Sequence, residues 1–266
     1  HQKYFIKKAF DEHRRYHGLP GRGARYLLAD GVGLGKTIQL GGLAKLIGTL
    51  DEQPILIVAP EAVVSQWQDE MMDKLAAPSA VWTGRGWLTE RDEFHPATEE
   101  DTTGCPRKIA IVPTSIVLSA KRSKFNHSLT EALLKMRFSC VIWDEAHKIR
   151  RANLQEPKVW QPAHKNLLYE WAMRLSARAN TFVLATATPI QLHPIELWDL
   201  LHVLSVGNPQ VLGSDLSRWK DVTAPLIFDL LAGRVQMDGP YEKWEYWKDP
   251  LPREQDNDVF RHIRNS

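Results

Sequence analysis

The sequence predicts an α/β fold in which a central parallel sheet is flanked by helices on both faces. Short apolar runs of strand length alternate with longer amphipathic stretches along most of the chain. This alternation is typical of parallel sheets, because a helix has to cross one face of the sheet between two parallel strands. Glycine-rich and acidic segments directly follow several of the apolar runs, at the sheet edge where open α/β folds bind their ligands.

Six apolar runs are predicted strands, and five amphipathic stretches are predicted helices. The predicted strands are 25–29, 55–59, 80–82, 109–112, 140–143 and 181–185. The predicted helices are 37–48, 61–75, 129–136, 166–177 and 194–204. In the first of these helices Leu40, Leu43 and Ile47 share one face, which is the stripe that a helix buries against a sheet. The polar, acid-rich stretch 83–106 is predicted to be a loop or an insertion.

Length and charge restrict the class of protein. The 266 residues are 43% hydrophobic and 25% charged, which is typical of a soluble globular chain with one large or two small domains. A net charge of +2 excludes a histone-like basic polypeptide and an acidic tail, so any nucleic-acid contact has to come from a local patch. We predict one α/β lobe over residues 1–212 and an appendage or connector over 213–266, where the alternation stops.

Cysteine content and the amino terminus indicate where the protein works. Cys105 and Cys140 are too few for a disulfide framework or a four-ligand zinc site. No segment approaches the ~18 consecutive apolar residues of a membrane helix, and the first residues show neither a Met nor a signal-peptide pattern. We therefore expect a fragment of a longer protein in a reducing intracellular compartment. That compartment is the cytoplasm for a prokaryotic source and the nucleus for a eukaryotic one.

The segment from Asp30 to Thr37 reads Asp-Gly-Val-Gly-Leu-Gly-Lys-Thr and joins a predicted strand to a predicted helix. Glycines let a backbone wrap a polyphosphate so that its N–H groups point at the phosphate oxygens. Lys36 would place a positive charge near the β and γ phosphates, and the Thr37 hydroxyl would bind Mg²⁺. The strict phosphate-loop pattern begins with Gly, whereas Asp30 stands there. A glycine-rich turn with an incidental Lys-Thr pair is the alternative.

Two adjacent carboxylates, Asp144 and Glu145, follow the predicted strand 140–143. Nucleotide hydrolysis needs one acid that holds the Mg²⁺ shell and another that orients or deprotonates the attacking water. Neighbouring carboxylates at the end of a strand can divide these two roles. An acidic pair favoured by a helix dipole is the alternative, and the preceding phosphate loop argues against it. A third segment, 185–191, offers threonine hydroxyls that can link the γ-phosphate region to a nucleic-acid groove.

These three segments, in this order and spacing, resemble the superfamily-two helicases and translocases, and most closely their Swi/Snf branch. Residues 55–67 are similar to that family's motif Ia, and residues 188–201 are similar to its signature after motif III. Gln2 resembles the family's adenine-contacting glutamine. The similarity covers about residues 1–205, with Gly31 and Val32 standing where the family usually has Glu and Met.

The resemblance implies a RecA-like lobe of the P-loop NTPase fold that uses ATP and Mg²⁺. It implies that Lys36, Asp144 and Glu145 are catalytic, and that Thr37 and Asp144 bind Mg²⁺. The residues that it implies for ATP binding are Gln2, Asp30, Gly31, Val32, Gly33, Leu34, Gly35, Lys36 and Thr37. The residues that it implies for coupling to DNA are His147, Thr186, Thr188 and Gln191. The candidate DNA contacts are Pro60, Thr114 and Ser115.

The implied function is ATP-driven translocation on double-stranded DNA, with this chain as the ATP-binding half of the motor. The implied partners are double-stranded DNA and a second RecA-like lobe of the same chain, with no membrane. A DNA-bound protein complex and other subunits of a bacterial phage-defence system are further candidate partners. Nothing after residue 205 resembles the second lobe's motifs, so the isolated fragment is expected to be nearly inactive. A nucleotide-dependent binding module without motor activity and a strand-separating helicase remain as alternatives.

Other residues receive simpler interpretations. His13 and His17 have i, i+4 spacing, but with two arginines between them they predict a solvated basic helix face rather than a metal site. Cys140 lies in an apolar run and is predicted to be a core residue. Most of the ten tryptophans are predicted to pack in the core, with base stacking as the alternative for Trp244 and Trp247.

Overall fold

One eight-stranded sheet carries the fold in the computed structural model, which describes residues 2–16, 22–31, 33–155, 159, 164–213 and 217–220. The strand order is β1-β8-β7-β2-β6-β3-β4-β5. The strands are β1 (Arg25–Leu28), β2 (Ile55–Ala59), β3 (Ser79–Trp82), β4 (Gly86–Thr89), β5 (Phe94–Pro96), β6 (Ile109–Pro113), β7 (Phe138–Trp143) and β8 (Ala179–Ala185). Strands β1, β8, β7, β2, β6 and β3 run parallel, so all six predicted strands are confirmed.

Helices cover both faces of the sheet and make the connections between parallel strands. They are α1 (Gln2–Arg15), α2 (Lys36–Leu50), α3 (Val64–Leu75), α4 (Ser115–Ser119), α5 (Lys124–Leu133), α6 (Leu167–Ser176), α7 (Ile195–Leu204) and α8 (Pro209–Leu212). Residues of β2 alternate between two buried clusters, with Leu56 and Val58 in one and Ile55, Ile57 and Ala59 in the other. A strand that buries side chains on both faces has to read as a continuous apolar run. This requirement explains why β2 was recognisable in the sequence.

Of the two predicted alternatives for the stretch 83–106, the structure shows an insertion with strands of its own rather than an irregular loop. It contains β4 and β5, which pair antiparallel with β3 and with each other and extend the parallel sheet at one edge. Trp87 explains the difference, because its ring is buried and packs edge-on against Trp82 with centroids 5.2 Å apart. Arg107 also binds Glu90 through paired hydrogen bonds. The charges of this stretch therefore lie around an added hairpin rather than in an open loop.

His13 corrects a second prediction, that of a solvated basic face. His13 is fully buried, with Nδ1 2.9 Å from Thr181 Oγ1 and Nε2 3.1 Å from Asp51 Oδ2. The helical repeat explains this, since Ala9 and His13 share the buried stripe of α1 while Arg14 and Arg15 lie on its exposed side. His17 lies outside the described residues, as do Trp244 and Trp247.

Several other predictions can be compared with the described residues. Cys140 is buried in β7, and Trp67, Trp82, Trp143, Trp171 and Trp198 are buried as expected for packing residues. The predicted appendage 213–266 lies almost entirely outside the described residues, so the boundary at residue 212 stays a prediction. No helix in the described part of the chain is long and apolar enough to cross a membrane.

His202 in α7 gives the fold a predicted dependence on pH. Burial lowers the pKa of this imidazole from 6.5 to about 4, with smaller contributions from nearby cations, and Nδ1 lies 2.8 Å from the Tyr169 hydroxyl oxygen. The unfolded chain therefore binds a proton more readily between these two values. We expect this contribution to stability to be complete above about pH 6.5 and to be lost progressively toward pH 4.

The measurement is the thermal midpoint of unfolding as a function of pH, compared between the unchanged protein and His202→Gln. The substitution should flatten the decline between about pH 6.5 and 4. His127 is exposed on α5, so His127→Gln should retain the full decline and serves as the control. Identical slopes in all three proteins would contradict a buried neutral His202.

Candidate functional site

The carboxyl ends of the parallel strands meet at one edge of the sheet and bring the sequence motifs together. Backbone hydrogen bonds continue the ladder just past the strand ends. Asp144 N donates to Val58 O at 2.8 Å, Thr186 N donates to Leu28 O at 3.1 Å, and Thr114 N donates to Ala59 O at 2.8 Å. The segments that follow β1, β2, β6, β7 and β8 therefore begin side by side. This is the edge at which open α/β sheets bind ligands.

The loop between β1 and α2 has a backbone that requires glycine at two positions. Gly33 and Gly35 have φ values of 80° and 75°, in the left-handed region that glycine adopts without strain. A Cβ at Gly35 would also lie 2.6 Å from the Gln2 amide nitrogen. Val32 lies outside the described residues.

Side chains brace this loop from within and from α1. Lys36 Nζ donates to Asp30 O at 2.8 Å and to Gly31 O at 2.9 Å, so its ammonium group lies inside the curve of the loop. Gln2 Nε2 donates to Leu34 O at 2.8 Å, and Gln39 Nε2 donates to the Asp30 carboxylate at 3.2 Å. The loop, the first turn of α2 and the start of α1 thus form one connected unit. Thr37 is half-buried in that first turn.

The turn after β7 holds the two predicted catalytic carboxylates. Asp144 Oδ1 accepts from Glu145 N at 2.9 Å, and Asp144 Oδ2 accepts from Trp67 Nε1 at 3.0 Å. Glu145 has φ 50° and ψ 49°, a left-handed conformation that costs a non-glycine residue energy and that clusters at functional sites. Both side chains are half-buried, which leaves them accessible from the sheet edge.

A chain of polar contacts joins Glu145 to the segment after β8. His147 Nδ1 lies 3.0 Å from Glu145 Oε2 and 3.2 Å from Thr186 Oγ1. Thr186 Oγ1 accepts from Thr188 N at 3.1 Å, and Gln191 Nε2 donates to Thr188 Oγ1 at 3.1 Å. The structure therefore brings all four predicted coupling residues into one connected path that starts at the Glu145 carboxylate.

Glu196, at the start of α7, organises the end of this path and was not predicted from the sequence. Its Oε2 accepts backbone N–H bonds from Gln191, Leu192 and His193 at 2.7–3.2 Å, and its Oε1 lies 2.7 Å from Arg150 Nη1. Burial alone would raise the pKa of this carboxyl, but the hydrogen bonds from Leu192, Arg150 and the other two amides outweigh it and lower the pKa. Glu196 lies in the segment 188–201 that resembles the family signature and in the first turn of a predicted helix, but neither signal reveals these partners.

Arg151 forms a buried ion pair beside this contact. Its guanidinium donates to both Asp199 oxygens, with Nη2 2.8 Å from Oδ1, and both side chains are fully buried. Arg150 and Arg151 closely follow the acidic pair, which makes them the natural candidates for a transition-state arginine supplied from within this chain. The structure engages both with carboxylates of α7, where they tie the turn after β7 to the segment after β8.

The Arg151–Asp199 pair predicts a large loss of stability when one partner is removed. Asp199→Ala leaves a buried guanidinium without its counter-charge, which should lower the free energy of unfolding by about 3–5 kcal/mol. The double variant Arg151→Met/Asp199→Leu should recover most of that loss, since no charge remains buried. Denaturant unfolding measures both, with Asp11→Ala in the exposed Lys7–Asp11 pair as the control that changes little. An Asp199→Ala variant as stable as that control would contradict the buried pair.

A family comparison identifies the domain that carries these residues. The family model described as the SNF2-related domain matches residues 16–227. The chain belongs to the SNF2-related family. Its fold is correspondingly similar to the Sulfolobus solfataricus SWI2/SNF2 ATPase core in complex with dsDNA, with a TM-score of 0.57 and 17% identity. That similarity covers 97% of this chain and 44% of the solved chain.

Curated relatives of this SNF2-related chain include a plant protein and a bacterial protein. The Arabidopsis thaliana protein CHROMATIN REMODELING 19 is 27% identical over 79% of this chain and 27% of its own length. The uncharacterized ATP-dependent helicase YqhH of Bacillus subtilis (strain 168) is 31% identical over 68% of this chain and 26% of its own length. The chain thus spans about a quarter of the length of these relatives. The SNF2-related family is one of ATP-dependent helicases and ATPases, so the loop at Lys36 belongs to an ATP-binding domain.

Proposed function

We propose that this SNF2-related chain is the ATP-binding half of an ATP-driven translocase that moves on double-stranded DNA. The connected path from Glu145 through His147 to the segment after β8 carries the proposal, because it joins a hydrolytic carboxylate to a segment outside the phosphate loop. The similarity to an ATPase core solved with dsDNA supports double-stranded DNA as the track.

The residues at the sheet edge fit ATP with a bound Mg²⁺. Magnesium prefers oxygen ligands and usually takes only one or two from the protein, with water and phosphate oxygens supplying the rest. The Asp144 carboxylate and the Thr37 hydroxyl are the oxygens that we propose for it. When bound, the metal neutralises charge that develops on the phosphate oxygens. The loop amides and Lys36 would hold the phosphates, and the Gln2 amide at Leu34 would lie at the adenine end.

Glu145 is the group that we propose to orient and deprotonate the attacking water. A general base has to lie within hydrogen-bond reach of the proton it takes, and its own position has to be fixed. The backbone of Glu145 is held in the turn after β7, and its carboxylate is held by His147. His147 would also couple a change at Glu145 to Thr186, because the same ring nitrogen lies near both side chains.

DNA contact is proposed at the ends of β2 and β6. Pro60 and Ser115 are half-buried there, and Thr114 is buried with its backbone N–H donated to Ala59 O. The Thr114 and Ser115 hydroxyls are the groups that we propose to bind phosphate oxygens, and such contacts carry no sequence information. We therefore expect binding that depends on the DNA backbone alone.

Salt titration of DNA binding tests this expectation. The logarithm of the binding constant should fall with the logarithm of salt concentration by roughly 0.9 per neutralised phosphate, and the slope should be shallow for a chain of net charge +2. Competition between duplexes of unrelated sequence, at one salt concentration, should show no preference. A strong preference for one sequence would contradict contact through the phosphate backbone.

A second RecA-like lobe is the partner that we propose for catalysis. An arginine supplied from an opposing surface is worth about 10³–10⁵ in turnover in related phosphoryl-transfer enzymes. Arg150 forms an ion pair with Glu196, and Arg151 forms one with Asp199. Their engagement favours an external source of that arginine. We therefore expect residues 1–266 alone to bind ATP weakly and to hydrolyse only a trace of it. Added DNA should not change that rate of hydrolysis.

Translocation itself is tested by displacement of a third strand from a duplex by the full-length protein. ATP-dependent release of the triplex strand would support the motor, whereas ATP binding without release would favour a nucleotide-dependent binding module. Separation of the strands of a forked duplex would favour a strand-separating helicase instead. The partner acted upon, whether a DNA-bound protein complex or subunits of a defence system, would be identified from proteins that the moving enzyme displaces.

A further inference from the structure

Trp67 touches the acid that we propose as a magnesium ligand, although it lies on a different element. Its indole Nε1 donates to Asp144 Oδ2 at 3.0 Å across 77 positions of sequence. We infer that Trp67 is a positioning residue that sets the orientation of the Asp144 carboxylate toward a divalent cation. This inference rests on the proposed ATP site.

The two oxygens of Asp144 are held by two different donors. Glu145 N donates to Oδ1 at 2.9 Å, and Trp67 Nε1 donates to Oδ2 at 3.0 Å. The backbone of Asp144 is held as well, since its N–H donates to Val58 O at 2.8 Å. A carboxylate oxygen has two lone pairs, so each oxygen keeps one for a cation or its water. The two donors therefore fix the plane of the carboxylate and leave one lone pair on each oxygen for a cation or its water.

The indole is itself held rigidly by its surroundings. Trp67 lies in the buried cluster that includes Ile57, Ala59 and Met71, and only 2% of its surface is exposed. A ring packed in this way has one available orientation, because protein interiors leave few voids into which a side chain can rotate. The N–H at its edge thus points at Asp144 before any ligand arrives.

An indole N–H suits this role better than a charged donor. It donates one hydrogen bond, accepts none and carries no charge. It therefore orients the carboxylate while leaving the full negative charge available to the cation. A lysine or arginine in its place would cancel that charge and repel a divalent ion. Residues that hydrogen-bond metal ligands from outside typically contribute 10- to 100-fold to metal affinity or activity.

A purely structural role is the competing explanation, and a second tryptophan provides the matched control. Trp82 is also 2% exposed and donates its Nε1 proton to a side chain, Asn126 Oδ1, at 2.8 Å. Trp82→Phe and Trp67→Phe remove the same atoms and one hydrogen bond each. Only Trp67→Phe removes a contact with Asp144, so a difference between them in metal binding reports positioning rather than packing.

The experiment measures Mn²⁺ binding to the full-length protein in the presence of a non-hydrolysable ATP analogue, with free Mn²⁺ counted by electron paramagnetic resonance. We expect Trp67→Phe to weaken Mn²⁺ binding by about 10- to 100-fold while metal-free binding of the analogue stays unchanged. Trp82→Phe should bind Mn²⁺ like the unchanged protein. Wild-type Mn²⁺ affinity in Trp67→Phe, or an equal loss in Trp82→Phe, would overturn the inference.

A second replacement covers the case in which Trp67→Phe does not fold. The benzothiophene analogue of tryptophan, incorporated at position 67, keeps the bicyclic shape and has a sulfur atom in place of the N–H, so it donates no hydrogen bond. It should weaken Mn²⁺ binding as Trp67→Phe does, and unchanged affinity would overturn the inference. If the unchanged protein shows no nucleotide-dependent Mn²⁺ binding, the proposed ATP site fails and the inference fails with it. Normal Mn²⁺ binding in both the unchanged protein and the position-67 variants would overturn this inference and leave the proposed ATP site standing.

Discussion

Lys36→Ala should reduce ATP turnover by the full-length protein by at least about 100-fold. The ammonium group lies inside the phosphate loop, 2.8 Å from Asp30 O and 2.9 Å from Gly31 O, and no side-chain atom of alanine reaches that position. Removing a preorganised positive donor from the place where phosphate charge develops costs transition-state stabilisation that water does not replace. Steady-state phosphate release at saturating ATP measures the effect.

Lys45 offers a control on the same helix. It is exposed and donates to Leu75 O at the surface of α2, so Lys45→Ala removes the same charge far from the loop. We expect Lys45→Ala to keep normal turnover. Turnover by Lys36→Ala that equals that of Lys45→Ala would contradict the assignment of the phosphate loop.

Glu145→Gln should separate binding from hydrolysis. The amide keeps the shape of the side chain but does not accept a proton from water, and a general base typically contributes about 10²–10⁴ to the rate. Asp144 and Thr37 remain, so affinity for ATP with Mg²⁺ should stay within a few-fold of normal while turnover almost stops. Equilibrium binding of ATP and single-turnover hydrolysis, measured on the same preparation, give the two quantities.

Glu131 provides the matched substitution for this experiment. It is a half-buried residue of α5 that pairs with Arg174, so Glu131→Gln changes the same chemical group outside the site. Both binding and turnover should be normal in Glu131→Gln. If Glu145→Gln loses ATP affinity as severely as it loses turnover, the two carboxylates do not divide their roles as proposed.

The parallel core was predictable because its physical requirement is visible in the sequence. A strand buried on both faces has to be apolar throughout, as 55–59 is, and a run of this length is too short for a typical helix. The added hairpin was missed for the opposite reason. Its strands are short, and β5 is largely exposed. Burial of Trp87 against Trp82 depends on a partner strand that local composition does not reveal.

The site shows the same division between local and non-local information. The phosphate loop and the Asp144–Glu145 pair are contiguous, so their spacing was sufficient to predict them. Glu196 and Trp67 act through partners 46 and 77 positions away, Arg150 and Asp144 respectively. Those contacts arise only when β7, α3 and α7 pack together, and no local pattern specifies them. His13 shows the same limit, since its burial depends on the face of α1 that meets the sheet.

The most direct test of the proposed function is the rate of ATP hydrolysis by the full-length protein with and without linear double-stranded DNA. We predict turnover that requires Mg²⁺, rises on addition of duplex DNA of any sequence, and is lost in Lys36→Ala and Glu145→Gln. Residues 1–266 alone should show only trace turnover that duplex DNA does not change. Absence of hydrolysis by the full-length protein with duplex DNA and Mg²⁺ present would contradict the proposal. DNA-stimulated turnover by residues 1–266 alone would contradict the need for a second lobe.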